Sequence, residues 1–134
     1  MTQVLTAAEA AELVRDGDTV ATNGNASILV ADGVLKAIEE RFQATGQPRN
    51  LTVIEPCNAG MKKGTGIERL AHIGLLKRVI ASAFPVWDQP RLGRMLVAGE
   101  IEGYNLPMGV IYQLLREASG AAPGFSRRSA LARS

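Results

Sequence analysis

The sequence predicts an open three-layer α/β/α domain with a mostly parallel sheet. Short apolar runs alternate along the chain with longer segments whose apolar residues recur at helical spacing. Hydrophobic residues make up 46% of the chain and aromatic ones only 4%. The core must therefore be built from Ala, Val, Leu and Ile, which suits a sheet covered by helices. The strand-like runs end in turns carrying Gly, Asn or Pro. Strands joined by helical crossovers run parallel, with right-handed connections. Periodicity gives the layers and leaves strand order open.

Each element has a local cause. Thr6-Ala7-Ala8-Glu9 fits a capping box, in which the Thr hydroxyl and the Glu carboxylate satisfy free amides at a helix start. Ala10, Leu13 and Val14 are expected to face inward, and Asp16-Gly17-Asp18 to end this helix. Thr19-Val20-Ala21-Thr22 reads as a short buried strand closed by Asn23-Gly24-Asn25. The next helix sets Val30, Val34, Leu35, Ile38 and Phe42 on one face, with Lys36, Glu39 and Glu40 projecting from the other. Gly46 and Pro48 stop it. Residues 51–54 form a second strand, followed by a loop with Gly60, Gly64 and Gly66 and a short helix over 67–71. A third strand covers 78–82, a helix 90–97, a fourth strand 101–105 and a last helix 109–118.

At 134 residues the chain is at most one domain, long enough to bury its own core. A net charge of +2 invites a nucleic-acid reading, but residues 1–123 carry 12 Lys or Arg against 13 Asp or Glu, a net of −1. Arg127, Arg128 and Arg133 supply the rest, with no aromatic interleaving, so no nucleic-acid partner is expected. Cys57 is alone, which rules out an intrachain disulfide and favours a reducing compartment. Glu9 and Glu12 stand where a signal peptide would be apolar, and no run of about 18 apolar residues occurs. The expectation is a cytoplasmic protein with no membrane partner and no metal site.

In open parallel sheets ligands bind beyond the carboxyl ends of the strands. Three segments there draw attention. In Asn23-Gly24-Asn25-Ala26, glycine lets backbone N–H groups converge on an anion or oxyanion. The second segment is Glu55-Pro56-Cys57-Asn58-Ala59-Gly60. In Tyr104-Asn105-Leu106-Pro107-Met108-Gly109, proline fixes the turn and the helix start that follows favours negative charge. Read singly, each is an ordinary strand-to-helix turn. His72 reads as a packing or surface residue, and Cys57 has no positioned base to make it a nucleophile. Gly60-Met61-Lys62-Lys63-Gly64-Thr65-Gly66 lacks the Gly-Lys-Ser/Thr ending of a phosphate loop. Trp87 and Asp88 carry no assigned role.

Four segments in order carry a more specific signal: 17–22, 45–52, 66–80 and 102–111, the last reading Glu-Gly-Tyr-Asn-Leu-Pro-Met-Gly-Val-Ile. Together they resemble the N-terminal half of a family I CoA-transferase, the acyl-CoA:acetate or 3-ketoacid group, over residues 4–124. The resemblance implies a fold shared with ribose-phosphate isomerase, here incomplete. It also implies coenzyme A as a substrate and no permanently bound cofactor. Acyl-CoA and a small carboxylic acid would be the ligands, and Asn23, Gly24, Asn25, Ala26, Asn105, Pro107, Met108 and Gly109 the oxyanion and substrate contacts. The implied reaction moves CoA from an acyl-CoA to a carboxylic acid through a glutamyl-CoA thioester.

Three departures qualify the transfer. Asn25 follows Gly24 where the family has Phe, and Ala31-Asp32 replace a Pro-Glu pair. Met108 stands where the family often has Gln, and a thioether cannot reproduce an amide's hydrogen bonds. The family's catalytic glutamate lies in its second half, and the surroundings of Glu55, Glu100 and Glu102 do not match it. The chain alone is therefore expected to be inactive, needing a C-terminal half or second subunit in a homo- or hetero-oligomer. Residues 1–123 are assigned to the α/β domain and 124–134 to a basic tail unlike the family. One back-translation of 124–134, read one nucleotide earlier, gives Leu-Leu-Ser-Lys-Val-Gly-Leu-Gly-Thr-Phe, similar to the family's continuation, so a frameshift origin is expected. A non-catalytic binding or regulatory module of this fold, and a sugar-phosphate isomerase or deaminase, stay open as alternatives.

Overall fold

The structure is a computed structural model that describes residues 4–26, 28–57, 60, 63–85 and 87–120. The expected boundary after residue 123 and the basic tail lie outside them. Four strands, β1 (Thr19–Ala21), β2 (Leu51–Glu55), β3 (Leu76–Ala81) and β4 (Glu102–Asn105), lie side by side in chain order, each pair parallel. Among them run α1 (Ala7–Glu12), α2 (Asp32–Thr45), a 3-10 turn (Gly66–Leu70), α3 (Pro90–Val97) and α4 (Met108–Ala118).

Side chains alternate across the sheet, and the two faces are covered differently. Val20, Leu51, Val53, Val79 and Ala81 belong to one large cluster with Leu35 and Ile38 of α2, Ile67 and Leu70 of the 3-10 turn, and Leu92 and Met95 of α3. This front face holds every connection between successive strands. On the back face, among the described residues, Ile54 and Ile80 pack against fully buried Ile111 of α4, with Leu106 and Leu115 alongside. An irregularity between Leu51 and Thr52 sets Thr52 opposite Arg78 and keeps the later residues of β3 in phase with β2.

Local sequence explains the ends of the elements. Thr6 Oγ1 accepts the Glu9 N–H at 3.2 Å and Glu9 Oε2 accepts the Thr6 N–H at 2.8 Å, which forms the expected capping box. Arg41, reaching from α2, donates to the carbonyls of Ala11 and Val14 at 2.7 Å each and closes the other end of α1. α2 stops at Gly46, whose N–H returns to Phe42 O at 2.8 Å.

Two packing expectations are corrected. Ala11 and Val14, three residues apart, turn α1 inward, while Leu13, two residues from Ala11 and so on the opposite side of the turn, is 67% exposed. β1 is not a buried strand. It forms one edge of the sheet, so Thr19 and Ala21 are exposed and only Val20 packs on the core.

An ionic network fastens the front layer. Asp32 at the start of α2 accepts from Gly66 N at 2.8 Å and from Arg69 Nε at 2.9 Å and Nη2 at 2.8 Å. The Arg69 guanidinium holds the Asp32 carboxyl below its ordinary range, against a smaller desolvation effect. Glu39 binds His72 Nε2 at 2.7 Å and Arg69 at 3.4 Å. Fully buried Glu68 accepts the N–H groups of Arg91 (2.8 Å) and Leu92 (3.0 Å), capping α3 from a distant segment.

Candidate functional site

The carboxyl ends of all four strands open on one rim, and the turns there are tied to one another. β1 runs into Thr22, whose buried Oγ1 has no hydrogen-bond partner among the described residues. The next turn is tight. A Cβ on Gly24 would lie 2.5 Å from Val30 Cγ2, at a φ of 156°, so only glycine fits. Asn25 and Ile28 exchange backbone hydrogen bonds at 3.0 and 2.9 Å, and Ala26 is left-handed at φ 58°. The Asn25 N–H is thus engaged within the turn. Among the described residues the amides of Gly24 and Ala26 make no backbone hydrogen bond.

The second and third strand ends join this turn. Gly60 N donates to Ala26 O at 2.5 Å, and Gln89 Nε2, from the segment after β3, donates to Gly60 O at 3.4 Å. Gly60 adopts φ 108°, and a Cβ there would meet Thr65 O at 2.6 Å. Glu55, the last residue of β2, is fully buried and accepts the Cys57 N–H at 2.7 Å. Cys57 is half-buried.

At β4 the chain turns into α4. Asn105 Nδ2 donates to Ser82 O at 3.0 Å, which ties the ends of β3 and β4. Pro107 caps α4 without a side-chain hydrogen bond, so the amides of Met108 and Gly109 at the helix start are available to an anion. The Met108 thioether is exposed. β4 and β1 are opposite edges, three strand spacings or about 14 Å apart. α4 bridges them: Tyr112 OH donates to Asn23 Oδ1 at 3.1 Å, a contact across 89 residues of sequence.

The sequence-predicted groups therefore fall into two clusters on one rim, Asn23–Ala26 with Gly60, and Asn105–Gly109. Tyr112 and Gln89 are additions no local motif could signal, since each acts on a turn far away in the chain. The other conspicuous side chains lie elsewhere. His72 pairs with Glu39, and it lines a cavity of about 540 Å³ on the front face with Arg91, Arg94 and Met95. Glu102 pairs with Arg78, its direct neighbour across the strands, at 2.6 Å, and this holds its carboxyl below the ordinary range. Trp87 is 79% exposed beyond the end of β3. Among the described residues no cluster of His, Cys, Asp or Glu can hold a metal ion, and no helix is long and apolar enough to cross a membrane.

This rim of glycine-shaped turns on a parallel sheet coincides with a sequence match. The family model of coenzyme A transferase matches residues 4–130. The chain belongs to the coenzyme A transferase family. It is 35% identical over 123 residues to the acetate CoA-transferase YdiF of Escherichia coli K12, covering 90% of this chain and 23% of that protein. It is 34% identical over 128 residues to the caffeate CoA-transferase of Acetobacterium woodii, covering 92% and 23%. The acetate CoA-transferase subunit alpha of E. coli K12 is 28% identical over 124 residues, covering 92% and 52%. Among solved structures, the acyl-CoA transferase YdiF of E. coli O157:H7, in a thioester complex with CoA, superposes with a TM-score of 0.81 at 33% identity, covering 90% of this chain and 25% of that one. The chain thus spans about a quarter of the length of the YdiF proteins it matches.

Proposed function

We propose that this chain is the N-terminal part of a CoA-transferase that moves CoA from an acyl-CoA to a small carboxylic acid. The observation that carries the reading is the family match over nearly the whole chain, together with a close structural likeness to a transferase whose structure is a CoA thioester complex. In the proposed reaction a glutamate carboxylate attacks the thioester carbonyl. The C–S bond breaks, and an acyl-glutamyl anhydride and CoA thiolate form. The thiolate attacks the glutamyl carbonyl, releasing the first carboxylate and leaving a glutamyl-CoA thioester. The acceptor carboxylate repeats the two steps in reverse and departs as its CoA thioester.

This chain's contribution is donors and shape. The Gly24 and Ala26 amides face developing oxyanion charge, while the Met108 and Gly109 amides meet a carboxylate or phosphate of the substrates. The Met108 side chain adds only apolar contact there. The nucleophile comes from outside the chain. Among the described glutamates only Glu55 ends a strand, and it is fully buried and accepting a backbone N–H. Activity therefore needs a second polypeptide or a longer chain, in an oligomer, and the reducing cytoplasm suits the lone Cys57.

The test is intact mass spectrometry after incubation with acetyl-CoA. The 134-residue chain alone is expected to carry no CoA adduct. Mixed with the remainder of YdiF, the complex is expected to carry one, on a glutamate of the YdiF part. An adduct on Glu55, or turnover of a sugar phosphate without reaction with acetyl-CoA, contradicts the reading.

A further inference from the structure

We infer that the front-face cavity is a binding site for a free α-amino acid with an apolar side chain, held by both of its charges. The site stands apart from the candidate functional site and does not depend on the proposed function. One wall is the segment 71–73, which leads into β3 at Leu76, and Glu100 stands just before β4 at Glu102. The cavity therefore opens at the amino ends of these strands, whereas the glycine-shaped turns occupy the carboxyl ends.

The other wall is patterned along α3. Arg91, Arg94, Met95 and Ala98 recur at helical spacing, so the helix and its cap turn one stripe toward the cavity. Met95 is 6% exposed and supplies a closed apolar surface, while Ile73 across from α3 is 72% exposed and leaves its side chain uncovered. The volume of about 540 Å³ falls in the range of about 300–1,000 Å³ usual for small-molecule sites, which combine apolar walls with a few orienting polar groups.

The charged groups of the lining divide into two kinds. His72 and Arg91 are already engaged. His72 Nε2 lies 2.7 Å from Glu39, and Arg91 donates to the Glu68 carbonyl at 3.0 Å and lies 3.5 Å from Glu39 and 3.7 Å from the Glu68 carboxylate. Arg94 and Glu100 are not engaged. Among the described residues neither side chain makes an ion pair or a hydrogen bond, and they share one cavity without pairing with each other. The Glu100 N–H returns to Met95 O at 3.0 Å, which fixes its backbone at the end of α3.

A ligand with a carboxylate alone would satisfy Arg94 and bring a second negative charge near Glu100. An amine alone would do the reverse. A zwitterion satisfies both: the planar Arg94 guanidinium takes the carboxylate through paired hydrogen bonds, and Glu100 takes the ammonium. The apolar side chain then rests on Met95, Ile73 and Ala98. A multiply charged anion such as phosphate does not suit the site, because Glu39, Glu68 and Glu100 outnumber Arg91 and Arg94 around it.

The experiment is an NMR titration of the 134-residue chain with L-leucine, with 4-methylpentanoate, which lacks the ammonium, and with 3-methylbutylamine, which lacks the carboxylate. Leucine is expected to give saturable shifts of the Ile73, Met95 and Ala98 amides, and the acid and the amine are each expected to bind at least about tenfold more weakly. Arg94→Ala and Glu100→Gln are each expected to weaken leucine at least about tenfold. Both residues are exposed, so the thermal transition is expected to stay at its wild-type value in each variant. Glu100→Gln is further expected not to weaken 4-methylpentanoate, a separation by charge that a general loss of packing does not produce. The absence of saturable shifts overturns the inference, as do shifts confined to Asn23–Ala26 and Met108–Gly109. The acid or the amine binding as tightly as leucine, or either variant keeping wild-type affinity for leucine, overturns it as well.

Discussion

The two faces of the sheet are built from similar side chains and end in different states. On the front, Ile38, Leu70, Leu75 and Leu92 are shut between strands, two helices and the 3-10 turn. An ionic network from Asp32 to Arg91 then locks that layer from outside. On the back, among the described residues, Ile111, Leu106 and Leu115 cover Ile54 and Ile80, and at the exposed ends stand Thr19, Ala21 and Tyr104. A parallel sheet is stable when both faces are buried. Among the described residues the front layer is thickly covered and the back layer thinly, and the chain spans about a quarter of the length of the YdiF protein it matches.

The largest expected effect comes from breaking the front. Leu70→Ala empties a fully buried site and should lower unfolding free energy by about 3–4 kcal/mol, read by urea denaturation. Ile111→Ala empties an equally buried site on the back, yet its cost should be about 2 kcal/mol and largely local. Hydrogen exchange should speed up in α4 and remain slow in β2 and β3. Equal global costs would show that the back layer is as integral as the front.

The next effect sharpens the role of the ionic network. Glu68→Ala leaves two amides at the α3 start without their buried acceptor and should cost about 2 kcal/mol. A cost near zero would mean that α3 docks by apolar contact alone.

Acid should reach the same layer. The folded-state pKa of Asp32 lies below its unfolded value, so the Asp32–Arg69 contribution is fully present above the unfolded pKa, about 4. It is lost as pH falls through the lowered folded pKa. Asp32→Asn should therefore flatten the fall of melting temperature below pH 4 and leave the curve between pH 6 and 8 parallel to wild type. An unchanged acid limb would show that the pair does not couple to folding.

The smallest effect is a control. Lys36 and Glu40 pair on the solvent side of α2, both more than half exposed, so Lys36→Ala should change stability by only about 0.3 kcal/mol.

What the sequence disclosed was local. The Thr6–Glu9 box, the stop at Gly46 and the helix Pro90–Val97 depend on residues within a turn of one another, and each stands as read. The parallel α/β class followed from alternation, and membership in the CoA-transferase family from ordered motifs. Strand order did not follow, because the pairing of Arg78 with Glu102 leaves no periodic mark. Nor did the edge position of β1, since Val20 between small residues looks the same in a buried strand. At the candidate site, the glycine turn was visible but its ties were not. Tyr112 to Asn23, Gln89 to Gly60 and Glu68 to α3 are single contacts between segments 23 to 89 residues apart, fixed by packing rather than by pattern.

The most direct test of the account is a transfer assay following acetate converted to acetyl-CoA at the expense of a second acyl-CoA. The 134-residue chain alone should show no transfer above buffer, and the chain mixed with the remainder of YdiF should show turnover that the YdiF part alone does not. Transfer by the chain alone would contradict the proposal that its nucleophile comes from outside the chain.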